Sequence, residues 1–249
     1  MTSFSDHFST TAASYADYRP SYPRELFEWL ASVAPDRRVA WDCGTGSGQA
    51  ALGLGDHFAQ VVATDPSVAQ LAHAVRHPAV SYAAMPAERS ALASGSVSVL
   101  TVAQALHWFD QPTFYAEARR VLVPGGVLAV WSYGLLTLND SVLDAVIRRL
   151  HGETVGPYWP PERRLVDEGY RALALPFAPV QPPAVTMVAE WTLEQLAGYL
   201  STWSAVQRAR AATGADPVAG VVAEIRDDWG PERTVRRVEW RLTLRAGHV

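Results

Sequence analysis

A glycine-rich loop that follows a short apolar run contains the residues best suited to ligand chemistry. Val39–Cys43 is apolar apart from Asp42, and Gly44, Gly46 and Gly48 alternate with small polar residues before an Ala-rich stretch. Glycine allows a positive φ angle and lets a ligand approach the backbone, and a helix start offers N–H groups without intrahelical partners. A strand, a glycine loop and a helix in this order predict a ligand site at the end of the strand.

Two carboxylates indicate the kind of ligand. Gly46, Gly48 and Ala51 formally match the dinucleotide fingerprint G-x-G-x-x-G/A. A pyrophosphate is anionic, however, and Asp42 directly before the loop disfavours it, whereas a cationic group would be attracted. Asp65 ends the next apolar run, where a carboxylate can accept hydrogen bonds from ribose hydroxyls, although it could instead cap the following helix. The pair therefore favours a nucleoside with a cationic amino-acid tail.

The loop and the acidic residue after the second strand together resemble the class I S-adenosylmethionine (SAM)-dependent methyltransferases. The pattern D-x-G-x-G-x-G occupies residues 42–48. The resemblance continues in three later segments, at 87–88, 104–110 and 117–126. The two ends of the chain resemble one subgroup, the trans-aconitate methyltransferase-like enzymes, whose members methylate small carboxylates.

The resemblance implies SAM as the cofactor and a set of residues that would hold it. These residues are Asp42, Gly44, Gly46, Gly48, Asp65, Pro66, Ala87, Glu88 and Gln104. Glu88 could also be a solvated loop residue without a ligand. No His, Cys or carboxylate cluster has the spacing of a metal site, so no metal is expected.

For the methyl acceptor, the resemblance indicates the segment after the fourth strand and an N-terminal aromatic cluster. The implied contacts are Tyr15, Tyr18, Arg19, Tyr22, His107 and Trp108. His107 is the candidate general base for a hydroxyl or amine acceptor, because an unperturbed histidine pKa lies near neutrality. Arg19 could hold a carboxylate of the acceptor or of SAM through two parallel hydrogen bonds. Alternatively, His107 is a structural histidine and Arg19 a surface residue beside a turn.

The elements that position these residues alternate between short apolar runs and helical stretches. The runs predicted as strands are Val39–Cys43, Val61–Thr64, Val80–Ala84, Val97–Ala103, Val127–Trp131, Val185–Trp191 and Thr234–Ala246. Helices are predicted at 24–34, 49–54, 68–75, 113–122, 141–150, 192–203 and 218–229, with a short one around Thr10–Tyr15. This alternation predicts parallel βαβ units. With the resemblance it implies an α/β, Rossmann-like doubly wound sheet, mostly parallel and seven-stranded, with helices on both faces and an antiparallel C-terminal strand.

We expect a single methyltransferase domain over residues 1–249. Its parts would be an N-terminal cap segment at 1–25, a SAM-binding core at 26–135, a lid insertion at 136–183 and a C-terminal completion of the sheet at 184–249. The Pro-rich composition of the third part favours a lid over a second domain.

Composition narrows the function further. The net charge of −4 over 249 residues disfavours a nucleic-acid surface, and no apolar run reaches the length of a membrane span. All 21 basic residues are Arg, which excludes a Schiff-base lysine and a G-x-x-x-x-G-K phosphate loop. The single cysteine, Cys43, and the absence of a signal-peptide pattern favour a cytoplasmic location.

The sequence therefore predicts methyl transfer from SAM to a small-molecule acceptor, with a carboxylate oxygen as the first choice. Two alternatives stay open at this point. One is an NAD(P)-dependent oxidoreductase on a similar sheet, and the other is a non-catalytic SAM-binding protein. The sequence does not indicate the acceptor or the oligomeric state.

Overall fold

A central sheet of eight strands organises the chain, which the computed structural model describes over residues 20–249. The expected short helix near Thr10–Tyr15 lies outside the described residues. The strands are β1 Val39–Cys43, β2 Gln60–Thr64, β3 Val80–Ala83, β4 Val97–Ala103, β5 Leu122–Tyr133, β6 Ala178–Val180, β7 Thr186–Trp191 and β8 Arg236–His248.

The strand order is β3-β2-β1-β4-β5-β8-β6, and β7 pairs with β8 beside this path. Strands β1 to β5 are parallel, whereas β8 runs antiparallel to β5, β6 and β7. The order reverses between β1 and β4, and ligands of such sheets bind beyond the carboxyl ends of the strands at this point. The predicted fold class is confirmed, with eight strands where seven were expected.

Helices cover both faces of the sheet. They are α1 Arg24–Val33, α2 Gln49–Gly55, α3 Val68–Ala72, α4 Gln111–Val121, α5 Ser141–Arg149, α6 Arg163–Asp167, α7 Leu193–Ser201, α8 Ser204–Thr213 and α9 Pro217–Trp229. Short 3₁₀ turns lie at Leu106–Trp108 and Gly156–Tyr158, and a π turn lies at Leu150–Thr154.

Alternate residues of the central strands enter two separate cores. In β5, Val127, Ala129 and Trp131 join the core with α1, α2, α5 and α7 to α9. Leu128 and Val130 join the opposite core with α4 and α6. Because both faces are covered, these strands are mostly apolar along their length, as is typical of parallel sheets.

Several element boundaries differ from the predictions. Strand β5 begins at Leu122, which pairs with Val97, and the chain bulges at 124–126 before Val127 pairs with Val99. Helix α3 ends at Ala72, and Val75, expected in this helix, is 58% exposed and has no core to pack against. Strand β6 and helix α8 were not predicted, because β6 is a three-residue edge strand and α8 has too few large apolar residues to show a helical period.

Substitution of Gly53 tests the packing of α1 against α2. An added Cβ at this position would collide with the ring of buried Phe27. Gly53→Ala should therefore lower the free energy of unfolding by about 1–3 kcal/mol, measured by urea denaturation. Gly220→Ala in α9 is the matched control, because a Cβ there meets no atom of residues 20–249 within 4 Å and should stabilise by up to about 1 kcal/mol. Equal stabilisation by both substitutions would contradict this packing.

Candidate functional site

The glycine loop between β1 and α2 has a backbone that only glycine adopts easily. Gly44, Gly46 and Gly48 have φ angles of +71°, +55° and +88°. A Cβ on Gly44 would come within 2.6 Å of Ala105 Cβ, and a Cβ on Gly48 would collide with the Tyr82 side chain. A Cβ on Gly46 would instead point into open space among the described residues, with its nearest neighbour 4.0 Å away. The outer glycines thus pack against the protein, and the middle one faces a cradle that a ligand can fill.

Asp42 lies beneath this loop and has no exposed surface. Its carboxylate accepts hydrogen bonds from Thr45 Oγ1 at 2.5 Å and Thr101 Oγ1 at 2.7 Å. Burial raises the pKa of Asp42 to about 6, although the two hydroxyls and the backbone N–H of Ala51 favour the ionised form. The charge of Asp42 therefore reaches a ligand through the loop, while its oxygens hold β1, β4 and the loop together.

Asp65 joins the end of β2 to the glycine loop. Its Oδ2 accepts from the Gly46 N–H at 2.9 Å, and its Oδ1 accepts from the Ser67 N–H at 2.8 Å. The expected alternative, a cap on the next helix, is filled by Ser67, whose side chain accepts from Gln70 N. Asp65 is thus held at the rim of the cradle, and a carboxylate with about four lone-pair sites can accept further hydrogen bonds there.

Four backbone N–H groups of the loop are engaged inside the protein. Gly44 N and Thr45 N donate to Thr64 O, Gly46 N donates to Asp65, and Gly48 N donates to Thr45 O. A phosphate-binding loop needs such groups free to face the anion. The glycine loop therefore suits a ligand without phosphates, and two carboxylates beside it suit the ribose and cationic tail of SAM.

Other residues predicted to contact the cofactor lie on neighbouring loops at the same edge of the sheet. Gln104 follows β4 with a φ of +55°, and its Nε2 donates to Tyr133 O at 3.0 Å. Glu88 accepts from the Asp110 N–H at 3.0 Å and so joins the loops after β3 and β4. Ala87 is buried, and Pro66 is exposed after Asp65. Their roles toward SAM stay predictions.

His107 lies in the 3₁₀ turn after β4, close to two aromatic rings. Its Nδ1 is 2.8 Å from Tyr170 Oη, and its ring centroid is 4.7 Å from that of Trp108. Burial, together with the positive charge of Arg163, lowers the pKa of His107 to about 3. The expected near-neutral pKa is therefore wrong, because the desolvated imidazole resists protonation. His107 is a neutral hydrogen-bonding group and a poor general base at physiological pH.

The N-terminal cluster is described only in part. Tyr15, Tyr18 and Arg19 lie outside the described residues. Tyr22 is half-buried and packs edge-on against Trp131 at the end of β5, with the ring centroids 5.5 Å apart. This contact brings the described start of the chain to the carboxyl edge of the sheet.

Tyr170 and Arg163 belong to the segment predicted as a lid, and the sequence analysis missed both. They follow no recognisable motif, and their relation to His107 depends on the path of residues 159–173. Thr45 and Thr101, the partners of Asp42, were also missed. For these two the signal was present, because a buried carboxylate at a strand end requires hydroxyl or N–H partners nearby.

Within the described part of the chain, three further features concern metal ligands, the cysteine and membrane-spanning helices. No group of His, Cys, Asp or Glu there could hold a metal ion. Cys43 is buried and burial raises its thiol pKa, which is typical of a packed, unreactive cysteine. Over residues 20–249, no helix combines the length and apolar character needed to cross a bilayer.

Comparison with known proteins shows that this chain is similar to methyltransferases. A family model described as a methyltransferase domain matches residues 41–130, which include the glycine loop. A protein of Dictyostelium discoideum named as a methyltransferase is 37% identical over 206 residues, 82% of this chain and 78% of its own length. An uncharacterized methyltransferase of Mycobacterium tuberculosis is 36% identical over 188 residues, 74% of this chain and 70% of its own length.

A solved structure shares the whole architecture. A type II methyltransferase from Anaeromyxobacter dehalogenans is 48% identical and superimposes with a TM-score of 0.87 over 93% of this chain and 98% of that chain. These relatives support the methyltransferase prediction and not the oxidoreductase alternative. None of these three names specifies a methyl acceptor.

Substitution of Gly46 tests the cradle. A Val side chain there would occupy the open space above the loop, so Gly46→Val should reduce SAM affinity by about tenfold or more, measured by calorimetry. Gly95→Val is the matched control, because Gly95 has a φ of +58° and an equally open surrounding but precedes β4 at the opposite edge of the sheet. Both variants should lose similar stability through backbone strain. Equal SAM affinity in the two variants would contradict the cradle.

Proposed function

The chain belongs to the class I SAM-dependent methyltransferases, and we propose that it transfers the methyl group of SAM to a carboxylate oxygen of a small molecule. Bound SAM supplies a methyl carbon that is activated by its sulfonium. The protein's own side chains bind the cofactor, place the acceptor oxygen in line and exclude water. A carboxylate acceptor makes the smallest demand on them, because it is already ionised near neutral pH.

The cofactor fits the cradle above Gly46. Asp65 would accept hydrogen bonds from ribose hydroxyls while it keeps its bonds to the Gly46 and Ser67 N–H groups. The buried charge of Asp42 would favour the cationic amino-acid tail through the loop. Ala87, Glu88 and Gln104 would extend the binding surface along the ends of β3 and β4.

One feature carries the choice of a carboxylate acceptor, namely the burial of His107, which makes its imidazole a weak base. Amines and hydroxyls generally need a base whose pKa lies near the working pH. The pKa of His107 is lowered to about 3, so this imidazole holds almost no proton-accepting power at neutrality. The other described residues of the predicted acceptor site are Tyr22 and Trp108, and neither is a histidine, carboxylate or amine. An acceptor that needs no base is consistent with this set.

The electrostatics near His107 also favour an anionic acceptor. Arg163 acts on His107, on Tyr170 and on His151 through its positive charge. Its guanidinium lies over the Trp159 ring, 4.6 Å from the centroid, and donates to Asp167 at 2.9 Å. The positive potential beside His107 would attract a carboxylate. Arg19, which lies outside the described residues, could add a second cation there.

The segments at 1–25 and 136–183 would cover the site during turnover. Part of the second segment already contacts it, since Tyr170 bonds to His107. Another part, Trp159 with His151, packs against Trp203 at the start of α8. Covering segments of this kind exclude water and complete the binding surface. The cytoplasmic location, the single-domain organisation and the covering role of the lid stay predictions.

The stability of the transferred methyl group to base tests the acceptor class. The protein is incubated with methyl-labelled SAM and a metabolite extract, and the products are treated with mild alkali. A carboxyl methyl ester hydrolyses and releases labelled methanol, whereas methylated amines and ethers keep the label. We expect the label to be released, and product mass then identifies the acceptor.

The Gly46→Val protein is the control for non-enzymatic methylation, because its SAM affinity is expected to fall. A base-stable label would contradict the carboxylate and favour an amine or hydroxyl acceptor. SAM binding without labelled product from any extract would instead favour the non-catalytic SAM-binding protein.

A further inference from the structure

Tyr170 is a fully buried tyrosine whose hydroxyl contacts a side chain of the proposed acceptor site. Its Oη lies 2.8 Å from His107 Nδ1, and the two ring centroids are 6.0 Å apart. A buried phenol requires a partner for its O–H group. Both groups of this pair can donate or accept, so the direction of the bond sets the tautomer of His107.

The backbone around Tyr170 is held in an unusual conformation. Gly169 and Tyr170 have φ angles of +61° and +55°, and a Cβ on Gly169 would come within 2.8 Å of Thr243 Oγ1 on β8. Arg245 on β8 donates to the carbonyl oxygens of Tyr170, at 2.8 Å, and Leu173. A left-handed conformation at a tyrosine costs energy and persists only where surrounding contacts fix it. Contacts from β8 thus fix the backbone at Tyr170 and, through it, the position of the hydroxyl group.

The direction of the bond follows from the need of the buried phenol for an acceptor. Among the described residues, the one hydrogen-bond partner of Tyr170 Oη is His107 Nδ1, at 2.8 Å. If Nδ1 carried the proton, the buried O–H group would be left without an acceptor, which costs free energy. The O–H proton of Tyr170 therefore points to His107 Nδ1, which must accept it as an unprotonated nitrogen.

We propose that Tyr170 fixes His107 as the neutral Nε2–H tautomer, so that His107 donates a hydrogen bond from Nε2 to an oxygen of the methyl acceptor. Tyr170 is a positioning residue in this arrangement, and the inference rests on the proposed function for the identity of the acceptor oxygen. The Nε2–H group of His107 would hold one carboxylate oxygen of the acceptor and leave the other oxygen for in-line attack on the methyl carbon. It would also select acceptors that offer an oxygen lone pair over an ammonium group, which has none.

The tautomer is measured directly, without an acceptor, by long-range ¹H–¹⁵N NMR on histidine-labelled protein. The sequence has seven histidines, and the signals missing from His107→Gln assign those of His107. We expect the Nε2–H tautomer from pH 5 to pH 8 in the wild-type protein. Tyr170→Phe should give a mixture of tautomers, because Nδ1 loses its donor.

Tyr115→Phe is the matched control. Tyr115 is also buried, and its hydroxyl donates to Ala174 O at 2.8 Å in the same lid segment, without contact to His107 through that group. This variant should lose a comparable hydrogen bond and keep the tautomer unchanged. Thermal unfolding of both variants separates a loss of the fold from a loss of the pairing.

Kinetics on the acceptor identified by the labelling experiment add a readout that a merely structural role would not move. Tyr170→Phe should lower kcat/KM by about tenfold in the wild-type background. It should have no further effect in His107→Gln, whose amide nitrogen keeps a donor near the position of Nε2. An equal loss in both backgrounds would overturn the positioning role.

The proposal would also be overturned by a wild-type Nδ1–H tautomer, or by a tautomer that Tyr170→Phe leaves unchanged. These NMR results do not depend on the acceptor. A base-stable methyl product would therefore refute the proposed carboxylate acceptor while the tautomer result is judged separately.

Discussion

A carboxylate buried under the glycine loop is the constraint on which the rest of the site depends. Asp42 lies near the end of β1 with no exposed surface, and hydroxyl groups from the loop and from β4 offset part of its cost of desolvation. These bonds fix Thr45 and therefore the path of Gly44 and Gly46. A loop fixed from below is ready to receive a ligand without the entropy cost of ordering it.

The sheet brings this loop together with the other residues of the candidate site. Because β1, β2 and β4 are parallel neighbours, their carboxyl ends place the glycine loop, Asp65 and the His107 turn side by side. Strand β8 closes the other side, since Arg245 holds the loop that carries Tyr170 against the same turn. The cofactor cradle and the proposed acceptor site thus share one rigid support, which favours precise placement of two reactants.

Local patterns in the sequence predicted the part of the site that is formed by residues close to one another along the chain. The alternation of Gly44, Gly46 and Gly48 after an apolar run specified the strand, loop and helix, and Asp65 marked the end of the next strand. The near-neutral pKa expected for His107 was wrong because desolvation depends on what packs around the ring. Tyr170 and Arg163 were missed for the same reason, because they approach His107 only through the three-dimensional path of the lid segment. Arg245 was missed because it acts on this segment from β8, through the carbonyl oxygen of Tyr170.

The pH dependence of stability in wild-type protein and Asp42→Asn tests the central claim most directly. The folded protein keeps the Asp42 proton up to a pKa of about 6, whereas the unfolded chain releases it near the ordinary aspartate pKa of 3.8. Between these values the folded state binds more protons, so the free energy of unfolding falls as pH rises. The wild type should therefore lose on the order of 3 kcal/mol relative to Asp42→Asn between about pH 4 and pH 6, and nothing more above pH 7. A stability difference that stays constant from pH 4 to pH 7 would contradict a charge buried beneath the loop.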